Sequence, residues 1–189
     1  MVKTVLLLFL EILPLLIFFT LGQYLPFLQA LMGYIIVTIL VIGLIWHIQK
    51  RISFLALIFG GFIIVAGSLS IWFSNPSILQ LADTLYYISA ALGIGILSLF
   101  KINVIQLLFD HTFGMSKQGW KILNYRWMIA LALAGISNEI VRQLGTTDDW
   151  LKFQLLRTLI LVLFAAYQFT LTKRHRLPSA TPWGIVITK

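Results

Sequence analysis

The chain has 189 residues, of which 60% are hydrophobic and only 11% are charged, and it contains no cysteine. Such a composition has too few polar side chains to coat a water-soluble globule of this size, so it indicates an integral membrane protein. The lack of cysteine excludes disulfides and thiol chemistry, and the three histidines are too far apart in sequence to suggest a metal site. Membrane topology alone accounts for the net charge of +8. We therefore expect no metal, no other cofactor and no nucleic-acid partner.

Apolar runs of the length that a bilayer requires follow one another along the chain. A hydrocarbon core about 30 Å thick needs about 20 apolar residues per helix. The predicted spans are residues 4–21, 29–46, 52–73, 81–100, 127–141 and 151–172. The sequence thus predicts an all-α, polytopic bundle of about six transmembrane helices. We expect one membrane domain over residues 1–177 and a loosely ordered cytoplasmic tail over residues 178–189.

The first span contains two residues that are unusual inside a membrane helix, Glu11 and Pro14. A proline removes one hydrogen bond of the helix, and a carboxylate at this depth costs about 2.5–3.5 kcal/mol unless it is paired, protonated or facing the bundle interior. Glu11 either reaches water or makes a buried polar contact that holds the bundle or lines a site. The span itself is either a full crossing or a short re-entrant segment. A cleaved signal peptide is a further alternative, although no small-x-small cleavage site follows.

Small residues spaced four apart mark the third and fourth spans. Such pairs share one helix face and let a neighbouring helix approach closely. The pairs are Ala56 with Gly60, Ser89 with Gly93, and Ala91 with Gly95. Asp83 stands at the predicted start of the fourth span, where we expect it to interact favourably with the helix dipole.

Residues 101–126 are too polar to cross a membrane and contain two amphipathic pieces. In the first piece, the apolar side chains that share a face are Val104, Ile105, Leu108 and Phe109. In the second piece, Trp120, Leu123 and Trp127 share a face, whereas Lys117, Lys121 and Asn124 lie on another side. A basic, aromatic helix of this kind lies in the membrane interface. Gly114 and Gly119 are expected to divide the region into short segments.

Polar residues reappear at the end of the short fifth span. Glu139 and Arg142 are three apart, so they can pair on one helix face beside Asn138. The two residues either form an ion pair at the membrane interface, where the helix ends, or belong to a polar site that faces the bundle interior. Residues 145–150 are predicted to form a turn, and Arg157 is expected to extend outward from the sixth span to the interface. Trp150, like Trp120 and Trp127, is expected at the level of the lipid headgroups.

The distribution of cations predicts the orientation. If alternate loops lie on alternate sides, only Arg142, Lys152 and Arg157 fall on the outer side. The eleven other cations share the opposite side: Lys3, Lys50, Arg51, Lys101, Lys117, Lys121, Arg126, Lys173, Arg174, Arg176 and Lys189. The positive-inside rule then puts both termini in the cytoplasm.

The motifs of common enzyme classes are missing from the sequence. It has no Gly-rich phosphate loop, no Gly-x-Ser-x-Gly elbow and no His-Glu-x-x-His. The scarce polar residues predicted within the membrane are Glu11, Asn138 and Glu139. A transporter built from repeats would show interrupted helices at matching positions in two halves, and only the first span is interrupted. We expect a protein that is not an enzyme.

Several landmarks, in this order, resemble the bacterial intracellular septation protein A family, also called the IspZ or YciB family. They cover most of the chain up to about Leu177 and begin with the segment from Glu11 through Pro14 to Phe19. The later landmarks are Phe59-Gly60-Gly61, Phe109-Asp110, Gly119-Trp120, Leu123, Arg126-Trp127, Asn138-Glu139, and Trp150 with Phe153. The chain departs from the family pattern at two places. A common Lys-x-Lys-Pro-Thr segment is replaced by Gln80-Leu-Ala-Asp83-Thr84, and a common Phe-Lys pair by Phe153-Gln154.

The resemblance implies a multi-pass bacterial inner-membrane protein that supports envelope integrity, cell elongation and septation. It implies contacts with division and envelope-synthesis proteins, and no established enzymatic activity. Membrane lipids are expected partners, and the small-residue faces are compatible with a homo-oligomer. The alternative is a small transporter or lipid-handling protein that uses carboxylates within the membrane. The candidate functional residues are Glu11, Pro14, Trp120, Arg126, Trp127, Asn138, Glu139 and Trp150.

Overall fold

The computed structural model describes the backbone of residues 2–50 and 54–185, and side chains there except those of residues 2–9, 11, 12, 49, 54–57 and 59. Within these residues the chain forms seven α-helices. They are α1 (Val2–Gly22), α2 (Phe27–Gln49), α3 (Phe54–Trp72), α4 (Pro76–Leu99), α5 (Val104–Phe109), α6 (Lys117–Leu144) and α7 (Thr147–Arg174). The predicted roles of the Glu11 and Ala56 side chains lie outside the described residues.

Three of the described helices are long and apolar enough to cross a membrane. The candidate spans are Phe27–Ile48, Pro76–Leu99 and Thr147–Arg174. Two shorter apolar helices cover Leu13–Gly22 and Gly60–Trp72. The all-helical, membrane-type architecture predicted from the sequence is therefore confirmed. The number of about six crossings stays a prediction.

Two helices begin earlier than the sequence predicts because polar residues cap them. The side chain of Asn75 accepts a hydrogen bond from the Ser77 amide at 3.0 Å, and Pro76 occupies the first helical position, where proline is favoured. α4 thus starts at Pro76, and Asp83 lies inside the helix instead of at its N-terminus. Before α7, the hydroxyl of Thr146 accepts from the Asp149 amide at 3.2 Å. The predicted turn over residues 145–150 is therefore wrong from Thr147 onward, where the chain is helical.

The polar segment and the predicted fifth span form one continuous helix, α6. The hydroxyl of Ser116 accepts from the Gly119 amide at 3.2 Å, which caps the first turn. Gly119 is therefore a helical residue, and the expectation that it breaks the segment is wrong. The close approach of His175, whose Cβ lies 2.6 Å from the position a Gly119 Cβ would take, explains why a glycine is needed there.

Contacts divide the described chain into two compact units. Unit 1 comprises residues 1–82 and 142–151, and unit 2 comprises residues 83–141 and 152–189. The prediction of one domain over residues 1–177 stays a prediction.

In unit 1, α2 packs against α1 and α3. The rings of Phe18 and Tyr34 stack with centroids 4.9 Å apart. Trp150 is 2% exposed and meets the ring of Phe27 edge-on at 5.9 Å. Gly60 makes the close approach that its spacing predicts, since a Cβ there would lie 2.5 Å from Cδ1 of Ile42.

The apolar core of unit 2 is built around the first turns of α6. Ile94, Ile105, Met115, Trp120, Leu123 and Leu171 form its buried cluster. The amphipathic faces predicted for α5 and the start of α6 therefore pack against protein, and Trp120 is almost fully buried. Asn124, predicted on the polar side, is also buried.

The segment after α7 folds back onto unit 2 through backbone hydrogen bonds. The Gly114 amide donates to the Gly184 carbonyl at 2.8 Å, and the Leu177 amide donates to the Gly114 carbonyl at 2.9 Å. The hydroxyl of Thr172 donates to the Trp183 carbonyl at 2.9 Å. These hydrogen bonds connect residues 183 and 184 to the rest of the unit. The loosely ordered tail over residues 178–189 stays a prediction.

Candidate functional site

Seven polar or amphipathic side chains of unit 2 meet between three of its helices. Asp83, Thr84 and Tyr87 come from α4, Asn138 and Glu139 from α6, and Gln154 and Arg157 from α7. We refer to these seven residues as the polar cluster. The three helices are otherwise apolar along much of their length, so each polar group inside them requires a partner.

Arg157 lies at the centre of the polar cluster and is 5% exposed. Its Nη1 lies 2.7 Å from Oδ2 of Asp83 and donates to the side-chain carbonyl of Asn138 at 2.9 Å. Its Nη2 donates to the side-chain carbonyl of Gln154. The guanidinium also lies over the ring of Tyr87, 4.4 Å from its centroid, which favours a cation electrostatically.

The expectation that Arg157 extends outward to the interface is therefore wrong. A guanidinium extends toward water when the surrounding helices offer it no partner. Here Asp83 and Asn138 supply a negative charge and an acceptor at hydrogen-bond distance. These contacts offset the desolvation of the buried cation, so the side chain points inward.

A continuous series of hydrogen bonds links Arg157 to Glu139. Asn138 accepts from Arg157 through its carbonyl and donates through its amide to the hydroxyl of Thr84 at 2.8 Å. The Thr84 hydroxyl in turn donates to the carboxylate of Glu139 at 3.1 Å. The two middle groups, Asn138 and Thr84, each use both a donor and an acceptor, so their side-chain orientations are fixed by their neighbours.

Asp83 receives a second partner besides Arg157. The side-chain amide of Gln154 donates to its Oδ2 at 2.8 Å. The side chains of Arg157 and Asp83 are 6% and 18% exposed. Counted at 1.5 Å per residue, Asp83 lies about 10 Å from the start of α4 and Arg157 about 15 Å from the start of α7. Both charges therefore lie well inside candidate membrane spans, where ionisable residues mark functional sites.

Sequence reasoning identified two members of the polar cluster, Asn138 and Glu139, and assigned no site role to the other five. A signal for two others was present, since Asp83 and Gln154 belong to the two segments in which the chain departs from the family pattern. The hydrogen bond between their side chains shows that the two departures are in contact. Whether Glu139 pairs with Arg142 stays a prediction.

The other predicted site residues lie apart from the polar cluster. In unit 2, Arg126 donates to the side chain of Gln168 at 3.1 Å, and the ring of Trp127 meets that of Phe164 edge-on at 5.2 Å. Trp120 belongs to the apolar core of the same unit. In unit 1, Pro14 and Trp150 are buried. The contacts of Trp120 and Trp127 are packing contacts, and that of Arg126 is a hydrogen bond. The functional roles of these residues stay predictions.

The polar cluster combines opposite charges with a series of hydrogen bonds. Among the described residues, no three His, Asp or Glu side chains converge as metal ligands would. What the cluster offers chemically is one buried cation, two carboxylates and a fixed series of hydrogen bonds between them.

The chain is similar to known proteins over nearly its whole length. The sequence profile of the family described as intracellular septation protein A matches residues 6–179. Proteins named inner membrane-spanning protein YciB are similar to it. That of Nitrobacter hamburgensis is 28% identical over 90% of this chain and 86% of its own length. That of a Bradyrhizobium strain (BTAi1) is 27% identical over 87% and 83%, and that of Agrobacterium fabrum is 25% identical over 80% and 73%.

No solved structure matches the chain. The profile match covers far more than half of the residues, and it agrees with the ordered landmarks that run from Glu11 to Phe153. The chain therefore belongs to the intracellular septation protein A family.

Proposed function

We propose that this chain is a multi-pass inner-membrane protein that supports envelope integrity and septation as a non-enzymatic scaffold. In this role it contacts proteins of cell division and cell elongation. The family name and the names of the relatives support the membrane location and the link to septation. The observation that carries the scaffold role is the polar cluster, whose groups bond to one another across three helices.

A scaffold requires helices held in one arrangement, and a buried ion pair can provide it. Replacing such a pair by apolar residues is often neutral for stability, whereas leaving one charge without its partner is strongly unfavourable. The Asp83–Arg157 pair therefore disfavours any helix arrangement that separates α4 from α7. Asn138 and Thr84 extend the same restriction to α6.

We propose an orientation with both termini in the cytoplasm, and contacts of unit 2 support it for the C-terminal end of the chain. The Ser116 amide donates to the His175 carbonyl at 2.9 Å, and Met115 forms an isolated bridge with Arg176. The basic residues at the start of α6 and at the end of α7 thus lie at the same end of the unit. The positive-inside rule assigns such an end to the cytoplasm.

Complementation of a strain that lacks its own septation protein A tests the proposal. We expect the wild-type chain to restore septation and envelope integrity, and to co-purify with division or elongation proteins after crosslinking in cells. Crosslinking with no such partner, together with normal division and an intact envelope in the deletion strain, would overturn the scaffold role.

The second candidate is a transporter or lipid-handling protein. It is favoured by two observations in the polar cluster. The carboxylate of Glu139 ends a series of hydrogen bonds that starts at a buried cation. In addition, Nε of Arg157 is buried and has no hydrogen-bond partner among the described residues, so one donor remains for a further group.

Glu139→Gln separates the two candidates because it keeps an acceptor for the Thr84 hydroxyl and removes the carboxylate charge. A scaffold tolerates this variant, so full rescue by an inserted, normally expressed Glu139→Gln chain supports the scaffold. Loss of rescue with normal insertion and unchanged thermal stability supports transport or lipid handling. Ser137→Ala, two positions away, is the control, because among the described residues its hydroxyl bonds within its own helix, to the Leu133 and Ala134 carbonyls.

A further inference from the structure

A basic cavity lies in unit 2 between the end of α4 and the first turns of α6. Its volume is about 590 Å³. The side chains that give it its chemical character are Lys101, Lys117, Lys121, Asn103, Gln106 and Tyr125. We refer to it as the lysine pocket. It is separate from the polar cluster, with which it shares no residue.

The wall of the lysine pocket is fixed by buried hydrogen bonds. Asn124, which is 3% exposed, donates to the Ser98 hydroxyl at 2.8 Å and accepts from the Ile105 amide at 3.2 Å. The Ser98 hydroxyl donates to the Ile94 carbonyl at 2.7 Å. These hydrogen bonds join α4, α5 and α6 behind the cavity, so they hold the wall of the cavity in place.

The backbone also fixes the position of Lys101. Its φ is +61°, and its amide donates to the Ser98 carbonyl at 3.0 Å. This left-handed conformation ends α4 and is unfavourable for a residue with a Cβ. Glycine is the usual residue at such a helix end. A lysine here instead delivers an ammonium group to the pocket.

The three lysines bring like charges together without a neutralising acid. All three are exposed, and none of them has an ion-pair partner among the described residues. The described residues that line the pocket include no Asp or Glu. Three ammonium groups around one concave surface repel each other and produce a positive potential, which an anion relieves.

We propose that the lysine pocket binds a phosphate group. Ammonium groups bind phosphate as point charges, and the amides of Asn103 and Gln106 and the hydroxyl of Tyr125 add neutral donors. The phosphate group belongs either to the headgroup of an anionic phospholipid or to a small soluble phosphate compound. Basic pockets on the cytoplasmic side of membrane helices are typical binding sites for anionic headgroups.

The surroundings of the pocket favour the lipid as the source. Leu99, Phe100 and Leu107 adjoin it in sequence and are 82%, 71% and 67% exposed. Leu99 and Phe100 stand at the end of a candidate membrane span. Exposed apolar side chains beside a cationic cavity provide a place for acyl chains next to a place for the headgroup.

Amine labelling of the full-length wild-type chain tests the proposal without any substitution. The purified chain is labelled in detergent alone, and with added phosphatidylglycerol, phosphatidylcholine or inorganic phosphate. We expect phosphatidylglycerol to slow the labelling of Lys101, Lys117 and Lys121, and phosphatidylcholine to have no such effect. Protection by inorganic phosphate at millimolar concentration, without protection by the lipid, identifies a soluble phosphate as the ligand. Unchanged labelling with both overturns the proposal.

Lys50 is the matched control, because it is an exposed lysine that follows a helix with nearly the same backbone conformation, φ +57°. It lies outside the lysine pocket, so its labelling should not change specifically. Equal protection of Lys50 and the pocket lysines indicates general attraction to an anionic surface and also overturns the proposal.

Affinity provides the second measurement. Each lysine near an anionic headgroup contributes about fivefold in binding, so the triple variant Lys101→Gln, Lys117→Gln, Lys121→Gln should bind phosphatidylglycerol on the order of 100-fold more weakly. Lys50→Gln should bind as the wild type does. Wild-type affinity in a triple variant that keeps the wild-type thermal transition contradicts the proposal. If that variant does not fold, the labelling result decides.

Discussion

The guanidinium of Arg157 lies 2.7 Å from the carboxylate of Asp83, so a cation in α7 is neutralised by an anion in α4 inside two helices that are apolar enough to cross a membrane. Asp83 also accepts from Gln154, and Arg157 also donates to Asn138. The ion pair is thus one part of a network that joins three helices. Substitutions in and near this network can therefore distinguish the contributions of charge, hydrogen bonding and packing to stability.

The first prediction concerns the ion pair itself. Arg157→Gln leaves the half-buried carboxylate of Asp83 without its cation, and we expect it to lower the free energy of unfolding by up to about 3–5 kcal/mol. The double variant Asp83→Asn, Arg157→Gln contains no charge at this pair. It should be more stable than Arg157→Gln alone.

Thermal unfolding of the purified chain in detergent measures the coupling. The expected interaction energy between the two sites is about 0.5–3 kcal/mol. Strict additivity of the two single substitutions would mean that the pair is not coupled in the folded protein.

The second prediction concerns Asn138, which is fully buried. Asn138→Leu removes the acceptor of Arg157 and the donor to Thr84. Each buried polar group that loses its partner costs about 1–3 kcal/mol, so we expect a loss of about 2–4 kcal/mol in the same thermal assay. Ser137→Ala should change stability by less than about 0.5 kcal/mol. A loss of equal size for both variants would contradict the role of the network.

The third prediction concerns the close packing of α6 against α4 at Gly135. A Cβ at this position would lie 2.8 Å from both Cγ1 and Cδ1 of Ile88 and 3.2 Å from Cβ of Tyr87. The Cβ of Tyr87 does not move when its side chain rotates. The Cγ1 of Ile88 moves only if χ1 changes, and a β-branched residue in a helix has one strongly preferred χ1 rotamer. We expect Gly135→Ala to lower the free energy of unfolding by about 1–3 kcal/mol.

Gly93 is the control for this substitution, since no heavy atom of the described residues lies within 4 Å of its Cβ position. Gly93→Ala should be neutral or stabilise by up to about 1 kcal/mol, because alanine favours the helix. The sequence predicted close helix packing at both Gly93 and Gly95. Among the described residues, the Cβ position of Gly95 has such a neighbour, the sulfur of Met128 at 3.3 Å, and that of Gly93 has none.

The fourth prediction concerns the segment after α7. Thr172→Val removes the hydroxyl that donates to the Trp183 carbonyl and keeps the shape of the side chain. We expect faster hydrogen exchange at the amides of Gly114 and Leu177, whose hydrogen bonds connect the same segment to the unit. Mass spectrometry after timed exchange measures this effect.

Thr170→Val is the control for exchange, because in the part of the chain that the structure describes the hydroxyl of Thr170 bonds within α7, to the Tyr167 carbonyl. Its exchange pattern should match that of the wild-type chain. Equal acceleration in both variants would indicate a general loosening of α7 instead of release of the segment.

The sequence predicted the class of the fold because apolar composition leaves few alternatives. Helices satisfy all backbone hydrogen bonds within one segment, so long apolar runs in a membrane become helices. The helix ends were less predictable. They depend on caps by single residues, such as Asn75 before α4 and Ser116 before α6, and a hydrophobicity pattern does not register these caps.

The candidate site was predicted only in part. Asn138 and Glu139 stood out because polar residues near the end of an apolar run are rare. Asp83 and Arg157 were also noted in the sequence, but each had a simple local explanation. Asp83 was expected to interact with a helix dipole, and the Arg157 side chain was expected to extend outward to the interface. Their pairing depends on which faces of α4 and α7 meet, and neither helix encodes that face in its own pattern.

The sequence by itself therefore determined an all-helical membrane protein and its family, since composition, the length of apolar runs and the order of landmarks are properties of the linear chain. Only the tertiary structure decided that Arg157 points inward, that Trp120 belongs to a core and that three lysines surround one cavity. The physical reason is that the direction of a side chain is set by the partners it finds on other helices. Those partners are brought into reach only by packing.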